Sequence, residues 1–97
     1  MTGYQIRYSH SVWERDALKL DEQIKARIRK AIESKLTVFP ERHSKPLKHS
    51  LKGLWSLRVG DWRVLFKISG EQVIIVGIGH RKDVYHQRTG RSDQENI

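Results

Sequence analysis

Residues 54–66 read LWSLRVGDWRVLF, which has the pattern of a β-hairpin. Apolar and polar residues alternate on both sides of Gly60-Asp61, a dipeptide that favours a two-residue β-hairpin turn. With that turn, Arg58 pairs with Arg63 across the two strands. Side chains alternate between the faces of a strand, so one face of the hairpin is uniformly apolar. That face, which we expect to lie in the core, carries Trp55, Leu57, Val59, Trp62, Val64, Phe66 and Ile68.

Two helices are predicted before the hairpin. Ser11 and Glu14 have the spacing of a capping box, which predicts a short helix over 11–20. Asp21 is an N-cap candidate for a second helix. The apolar residues of this second helix recur at helical spacing, at Ile24, Ile28, Ala31, Ile32 and Leu36. We expect it to end near Val38, because a proline follows closely and restricts the residue before it.

Strand patterns lie on both sides of the helices. Residues 4–8 alternate between apolar and polar, and residues 73–79 form a last apolar run. Residues 40–53 hold both prolines and several cations, a composition that predicts a loop. The predicted fold is therefore α+β, with an N-terminal strand and a helical hairpin packed on an antiparallel β-meander. We expect one domain over 1–88 and a polar tail over 89–97.

Composition limits the possible functions. The chain has 97 residues, a net charge of +8 and no cysteine, which excludes a large multi-site enzyme, disulfides and thiolate metal sites. The acidic residues are scattered, so we expect no metal and no other cofactor. No stretch approaches the ~20 apolar residues of a membrane span, and the N-terminus lacks the pattern of a signal peptide. We expect a cytoplasmic protein whose partner is a polyanion or an acidic protein.

Several chemically suited residues are expected at one end of the sheet. Extending the alternation through the turn at 69–72 places Arg63 beside Ile78, so that His80 shares the face of the two strand arginines. The candidate catalytic set is Arg58, Arg63, His80, Arg81 and Tyr85. Arginine binds phosphate, histidine exchanges protons near neutral pH, and tyrosine can serve as an acid or base. The alternative is that the arginines point into water or pair with distant acids.

The chain also resembles a known family. Residues 54–66, followed by IGHRKDVY at 78–85, resemble the RelE/ParE superfamily of toxins from type II toxin–antitoxin systems. The match extends over residues 4–86, and the His-Arg-x-x-x-Tyr ending is similar to the RelE branch. The resemblance implies a RelE-like fold and an endoribonuclease (mRNA interferase) that cuts mRNA on the ribosome. In that reaction the ribose 2′-OH attacks the neighbouring phosphate and leaves a 2′,3′-cyclic phosphate.

The resemblance also implies roles for individual residues. Arg63 matches the strand arginine that stabilises the phosphorane, and Arg81 matches the arginine that follows the last strand. Tyr85 matches a tyrosine used for proton transfer or base stacking. Arg58 and Ser56 stand where well-known members carry lysines, and an arginine is a poor base. These departures leave the general base open, and the sequence offers His80 for that role.

The implied partners are mRNA, the ribosome with its 16S rRNA, and a cognate antitoxin. The candidate nucleic-acid-binding residues are Lys45, Lys48 and Lys52, which precede the hairpin. An antitoxin could bind apolar side chains expected on the sheet face opposite the helices, namely Leu65, Ile74, Val76 and Ile78. The alternative is that the C-terminal segment covers them.

Two other functions stay open at this point. The first is a ParE-like toxin that inhibits DNA gyrase and has no nuclease activity. The second is a noncatalytic domain that binds RNA or an acidic protein through the aromatic residues of its strands. Against the second, Trp55, Trp62 and Phe66 are expected on the core face.

Overall fold

The computed structural model describes residues 3–10, 12 and 20–82. The elements are β1 (Gln5–Tyr8), α1 (Glu22–Lys35), β2 (Ser44–Pro46), a 3-10 helix (His49–Leu51), β3 (Trp55–Val59), β4 (Trp62–Ser69) and β5 (Gln72–His80). The strands form one sheet in the order β1-β5-β4-β3-β2, in which only the β1–β5 pair is parallel. The predicted α+β fold is confirmed. The predicted helix over 11–20 is described only at Val12 and Leu20, and the tail lies outside the described residues.

Helix α1 begins at the predicted N-cap. The backbone N–H of Ile24 donates to the Asp21 carboxylate at 2.8 Å, so one of the otherwise unpaired N–H groups of the first turn has a partner. Ile28 and Ile32 are fully buried on the inner face of the helix. Of the described helices, none has the length and apolar character needed to cross a membrane.

Helix α1 ends at Lys35, three residues before the predicted end near Val38. The Thr37 hydroxyl donates to the Glu33 carbonyl at 2.7 Å. The Thr37 carbonyl accepts the backbone N–H of Tyr4 at 2.7 Å. This second bond ties the end of the helix to the chain entering β1, so the backbone leaves the helical path before it reaches the proline.

The core lies between α1 and one face of the sheet. Its sheet side is formed by Leu57, Val59, Val64, Phe66, Val73, Ile75 and Ile78, and Val12, Leu20 and Leu36 join it. Tyr8 packs at its margin, and burial raises the pKa of the Tyr8 hydroxyl, with the Glu33 carboxylate adding to the effect. The predicted β3–β4 register is confirmed, because Val59 pairs with Trp62 and Arg58 with Arg63.

The β4–β5 register differs from the prediction because of a β-bulge. Phe66 pairs with Ile75, but Leu65 pairs with Gly77, so Val76 is the extra residue. Arg63 therefore lies beside Gly79 instead of Ile78. A shift of one residue moves every later side chain to the other face.

The bulge also changes the surface expected to receive an antitoxin. Ile78 pairs with Val64 and is 1% exposed within the core, so its placement on the outer face was wrong. Leu65 lies on the outer face but is fully buried. Ile74 and Val76 are half-buried. These side chains do not form an open apolar surface.

The predicted loop over 40–53 contains regular structure. Residues 44–46 form the edge strand β2, in which Lys45 pairs with Ser56 of β3. Pro46 is tolerated because an edge strand needs hydrogen bonds on one side only. Composition could not reveal this strand, since its pairing partner lies about ten residues further along the chain.

We expect the Asp21→Ala substitution to lower the free energy of unfolding by about 1 kcal/mol, because it removes the N-cap hydrogen bond. Asp21→Asn keeps an accepting oxygen and should remain near the wild-type value. Urea denaturation followed by circular dichroism measures both. Equal losses in the two variants would contradict a capping role.

Candidate functional site

A basic pocket lies on the outer face of the sheet, opposite α1. Its volume is about 630 Å³, and it is lined by Arg42, His43, Ser44, Lys45, Ser56, Arg58, Arg63, Arg81 and Lys82. Six of these nine residues are lysine or arginine, and none of the nine is acidic. Such a concentration of one charge attracts phosphate groups.

The β3–β4 hairpin places two arginines in the pocket. Gly60, the first residue of the turn, has a φ of 63°, which a glycine adopts without strain. The tight turn makes Arg58 and Arg63 direct cross-strand partners. Their neighbours Leu57 and Val64 point to the core, so both guanidinium groups must lie on the outer face.

The Arg63 side chain is held by the backbone of the turn. Its Nη1 donates to the Gly60 carbonyl at 3.0 Å and to the Trp62 carbonyl at 2.9 Å. These bonds fix one end of the guanidinium group, which has five N–H donors in all. The remaining donors are available to an anion. Arg58 is exposed beside it.

Arg81 is fastened to the same turn from the end of β5. Its backbone N–H donates to the Asp61 carbonyl at 2.8 Å, and its Nε lies 3.7 Å from the Asp61 carboxylate. The two side chains are 54% and 71% exposed, so the ion pair adds little stability. Arg81 and Arg63 line the same pocket, and the contact of Arg81 with Asp61 is one that the sequence did not reveal.

His80 does not join the arginines, contrary to the expectation. The bulge pairs it with Trp62, and the two rings meet edge-on with centroids 5.4 Å apart. Trp62 packs against the core on the α1 side, so His80 lies on that side and not in the pocket. The His80 Nδ1 accepts the backbone N–H of Lys82 at 3.2 Å.

Strand β2 supplies pocket residues that the sequence did not single out. Of the three candidate nucleic-acid-binding lysines, Lys45 lines the pocket, whereas Lys48 and Lys52 are exposed and do not line it. Arg42 and His43 enter the pocket because the pairing of β2 with β3 brings them beside the hairpin. Lys82 and Ser44 are further lining residues that were not predicted, and Tyr85 lies outside the described residues.

Lys45 lies beside Ser56, a position at which the sequence departs from the family that it resembles. Ser56 stands where the resemblance implies a lysine, and Lys45 is its direct cross-strand partner. Cross-strand partners lie about 5 Å apart, so an ammonium group is available close to that position. Lys45 of β2 therefore places a positive charge next to the Ser56 position of β3.

The pocket can bind a phosphate and can also exchange a proton. Its arginines provide forked N–H donors that match phosphate oxygens. His43 is the lining residue whose side-chain type exchanges protons near neutral pH. Within the described part of the chain, no group of three or more His, Cys, Asp or Glu residues could hold a metal ion.

Sequence comparisons identify relatives that match most of the chain. Residues 6–85 match the family model for the ParE toxin of the type II toxin–antitoxin system parDE. Toxin RelG of Mycobacterium tuberculosis is 34% identical, over 87% of this chain and 98% of the relative. Toxin RelE of the same organism is 35% identical, over 79% of this chain and 81% of the relative.

Structural comparisons agree with the sequence relatives. The toxin–antitoxin complex RelBE2 of M. tuberculosis matches with a TM-score of 0.75 and 32% identity, over 81% of this chain and 99% of the other. The RelB–RelE complex of Methanococcus jannaschii matches with a TM-score of 0.58 and 19% identity, over 84% of this chain and 96% of the other. The chain therefore belongs to the RelE/ParE superfamily of toxins from type II toxin–antitoxin systems.

Proposed function

We propose that this toxin is an endoribonuclease that cuts mRNA on the ribosome without a metal ion. The observation that carries the proposal is the pocket at the β3–β4 hairpin, with six cationic residues, one histidine and no acidic lining residue. Its sequence relatives are named RelE and RelG toxins, which favours the RelE branch. The proposed substrate is mRNA, the proposed partner is the ribosome with its 16S rRNA, and the proposed compartment is therefore the cytoplasm.

The proposed reaction begins with the ribose 2′-OH. Its oxygen attacks the adjacent phosphorus, and its proton passes to the imidazole of His43. The negative charge that builds up on the phosphorane oxygens is stabilised by Arg58, Arg63 and Arg81. The bond between phosphorus and the 5′ oxygen then breaks. That oxygen takes up a proton, and the products are a 2′,3′-cyclic phosphate and a 5′-OH.

His43 replaces His80 as the proposed general base. His80 faces the α1 side of the sheet, whereas His43 lines the pocket with the arginines. Tyr85 keeps the role that the resemblance implies, as the group that donates the proton or stacks on a base. Lys45 binds the RNA backbone in this scheme, and Lys48 and Lys52 are assigned to RNA binding outside the pocket.

A cognate antitoxin is the proposed protein partner. The M. tuberculosis relative was solved as a toxin–antitoxin complex. With a net charge of +8 and a pocket free of acidic residues, this chain would bind a partner that carries acidic side chains. We expect the antitoxin to cover the pocket, because the apolar residues of the outer face are largely buried.

The alternative function is inhibition of DNA gyrase, as the matched family model is named for ParE. Expression of the toxin distinguishes the two functions. A nuclease leaves new 5′ ends in mRNA while plasmid supercoiling stays normal. A gyrase inhibitor leaves mRNA intact and blocks supercoiling by purified gyrase.

We expect Arg63→Ala and Arg58→Ala each to lower the rate of mRNA cleavage by about 10²–10³, because each removes a contact to the developing charge. Programmed ribosomes and single-turnover conditions give this rate. Lys67→Ala is the matched control, since Lys67 is exposed on the same face of β4 outside the pocket. Wild-type rates in both arginine variants would refute the assignment of the site.

A second expectation concerns the pH dependence of cleavage. An imidazole that acts as the base must be unprotonated to accept the 2′-OH proton, so the profile of kcat/KM should show a limb that rises with pH. His43→Asn should be slow and should lose this rising limb. His49→Asn, a change outside the pocket, should keep it. A rising limb that persists in His43→Asn would exclude His43 as the base.

A further inference from the structure

A second basic groove runs between α1 and the β3–β4 turn. Its volume is about 290 Å³, and its lining residues are Arg27, Lys30, Ala31, Ser34, Lys35, Arg58, Val59 and Gly60. Four of them are cationic and none is acidic. Arg58 lines both this groove and the pocket, so the two depressions meet at one side chain. Together they form one basic track across the end of the hairpin.

Helical spacing explains the composition of the groove. Arg27, Lys30 and Ser34 follow one another at three or four residues on α1, next to the buried stripe of Ile28 and Ile32. Because the buried stripe faces the sheet, the neighbouring stripe borders the hairpin. The basic residues of α1 that line this groove are therefore not simply the solvent side of an amphipathic helix.

The guanidinium group of Arg27 lies against the hairpin turn. A Cβ atom placed on Gly60 would lie 3.3 Å from Nη2 of Arg27 and 3.5 Å from its Cζ, which is a tight contact. Glycine at this position leaves room for the guanidinium group of Arg27 against the turn. The same turn carries Arg58 and Arg63 and is bonded to Arg81.

The charges around this turn are unbalanced. Four guanidinium groups surround it, and Asp61, the acidic residue of the turn itself, lies 3.7 Å from Nε of Arg81. Among the described residues, no ion pair is formed by Arg27 or Lys30. Clustered like charges of this kind repel one another and are relieved by a ligand with several negative charges in a row.

We propose that the groove along α1 is a second phosphate-binding site for RNA, separate from the pocket where the cut is made. RNA phosphates bind to Arg27 and Lys30, and Arg58 joins this site to the pocket. The inference rests on the proposed function and extends it to the neighbouring RNA backbone. The phosphates could belong to the mRNA strand being cut or to ribosomal RNA, and the experiment separates these two sources.

The test is binding of RNA that cannot be cut. Oligonucleotides with 2′-O-methyl groups throughout, about three and about twelve nucleotides long, are titrated by fluorescence anisotropy at several salt concentrations. The variant is Arg27→Gln/Lys30→Gln. The control is Lys25→Gln/Lys67→Gln, which removes the same net charge from α1 and β4 outside both depressions. Thermal melts verify that all proteins are folded.

We expect the variant to bind the long RNA at least tenfold more weakly than the control does, and to bind the short RNA equally well. Loss of two phosphate contacts should reduce the slope of log K against log salt by about 1.4 for single-stranded RNA. The same variants are also titrated with ribosomes that lack mRNA. If Arg27→Gln/Lys30→Gln binds these ribosomes more weakly than the control does, but binds the long oligonucleotide equally well, the phosphates are those of ribosomal RNA. Both results support the second site.

Equal binding of the variant and the control in both assays would overturn the inference. So would a variant that loses affinity for the antitoxin alone, since the groove would then be a protein interface. The proposed function is judged separately by Arg63→Ala, which should weaken binding of the short RNA. If Arg63→Ala weakens that binding and Arg27→Gln/Lys30→Gln changes nothing, only the second site is wrong.

Discussion

The two-residue turn at Gly60-Asp61 fixes the register of the central hairpin, and the pocket is built around this hairpin. It sets β3 against β4 in a register that buries Leu57 and Val64 and leaves the two strand arginines on the outer face. Burial of each such side chain stabilises the fold by about 1.5–3 kcal/mol. Repulsion between two like charges directly across a strand pair costs about 1 kcal/mol or less. The core therefore determines the register, and the arginines are held together despite their repulsion.

The same turn contacts arginines of both the pocket and the groove along α1. Its carbonyl groups accept hydrogen bonds from the Arg63 side chain and from the backbone N–H of Arg81. Its glycine lies against the guanidinium group of Arg27, and the Asp61 carboxylate contacts Arg81. A surface with this charge attracts polyanions and acidic protein segments alike. The proposed RNA substrate and an antitoxin with acidic side chains would therefore compete for the same surface.

Local sequence patterns predicted much of the fold. The features that they did not predict, the β-bulge and strand β2, depend on pairing between residues that are not close in the sequence. The hairpin and the N-cap of α1 were predictable because the turn dipeptide and the capping aspartate act on their immediate neighbours. The β-bulge was not, because the pattern of β5 does not say which residue is extra, although Gly77 and Gly79 were a signal of irregular pairing. That single residue moved His80 out of the site. Strand β2, hidden in a segment with the composition of a loop, brought His43 into it.

Attack by the neighbouring 2′-OH is the step by which the pocket is proposed to cleave RNA. It is tested with programmed ribosomes and mRNA that carries one 2′-deoxynucleotide on the 5′ side of the mapped cut. This substitution should abolish the cut. With unmodified mRNA, mass spectrometry should find a 2′,3′-cyclic phosphate on one fragment and a 5′-OH on the other. Cleavage of the 2′-deoxy substrate, or fragments ending in 3′-OH and 5′-phosphate, would contradict it.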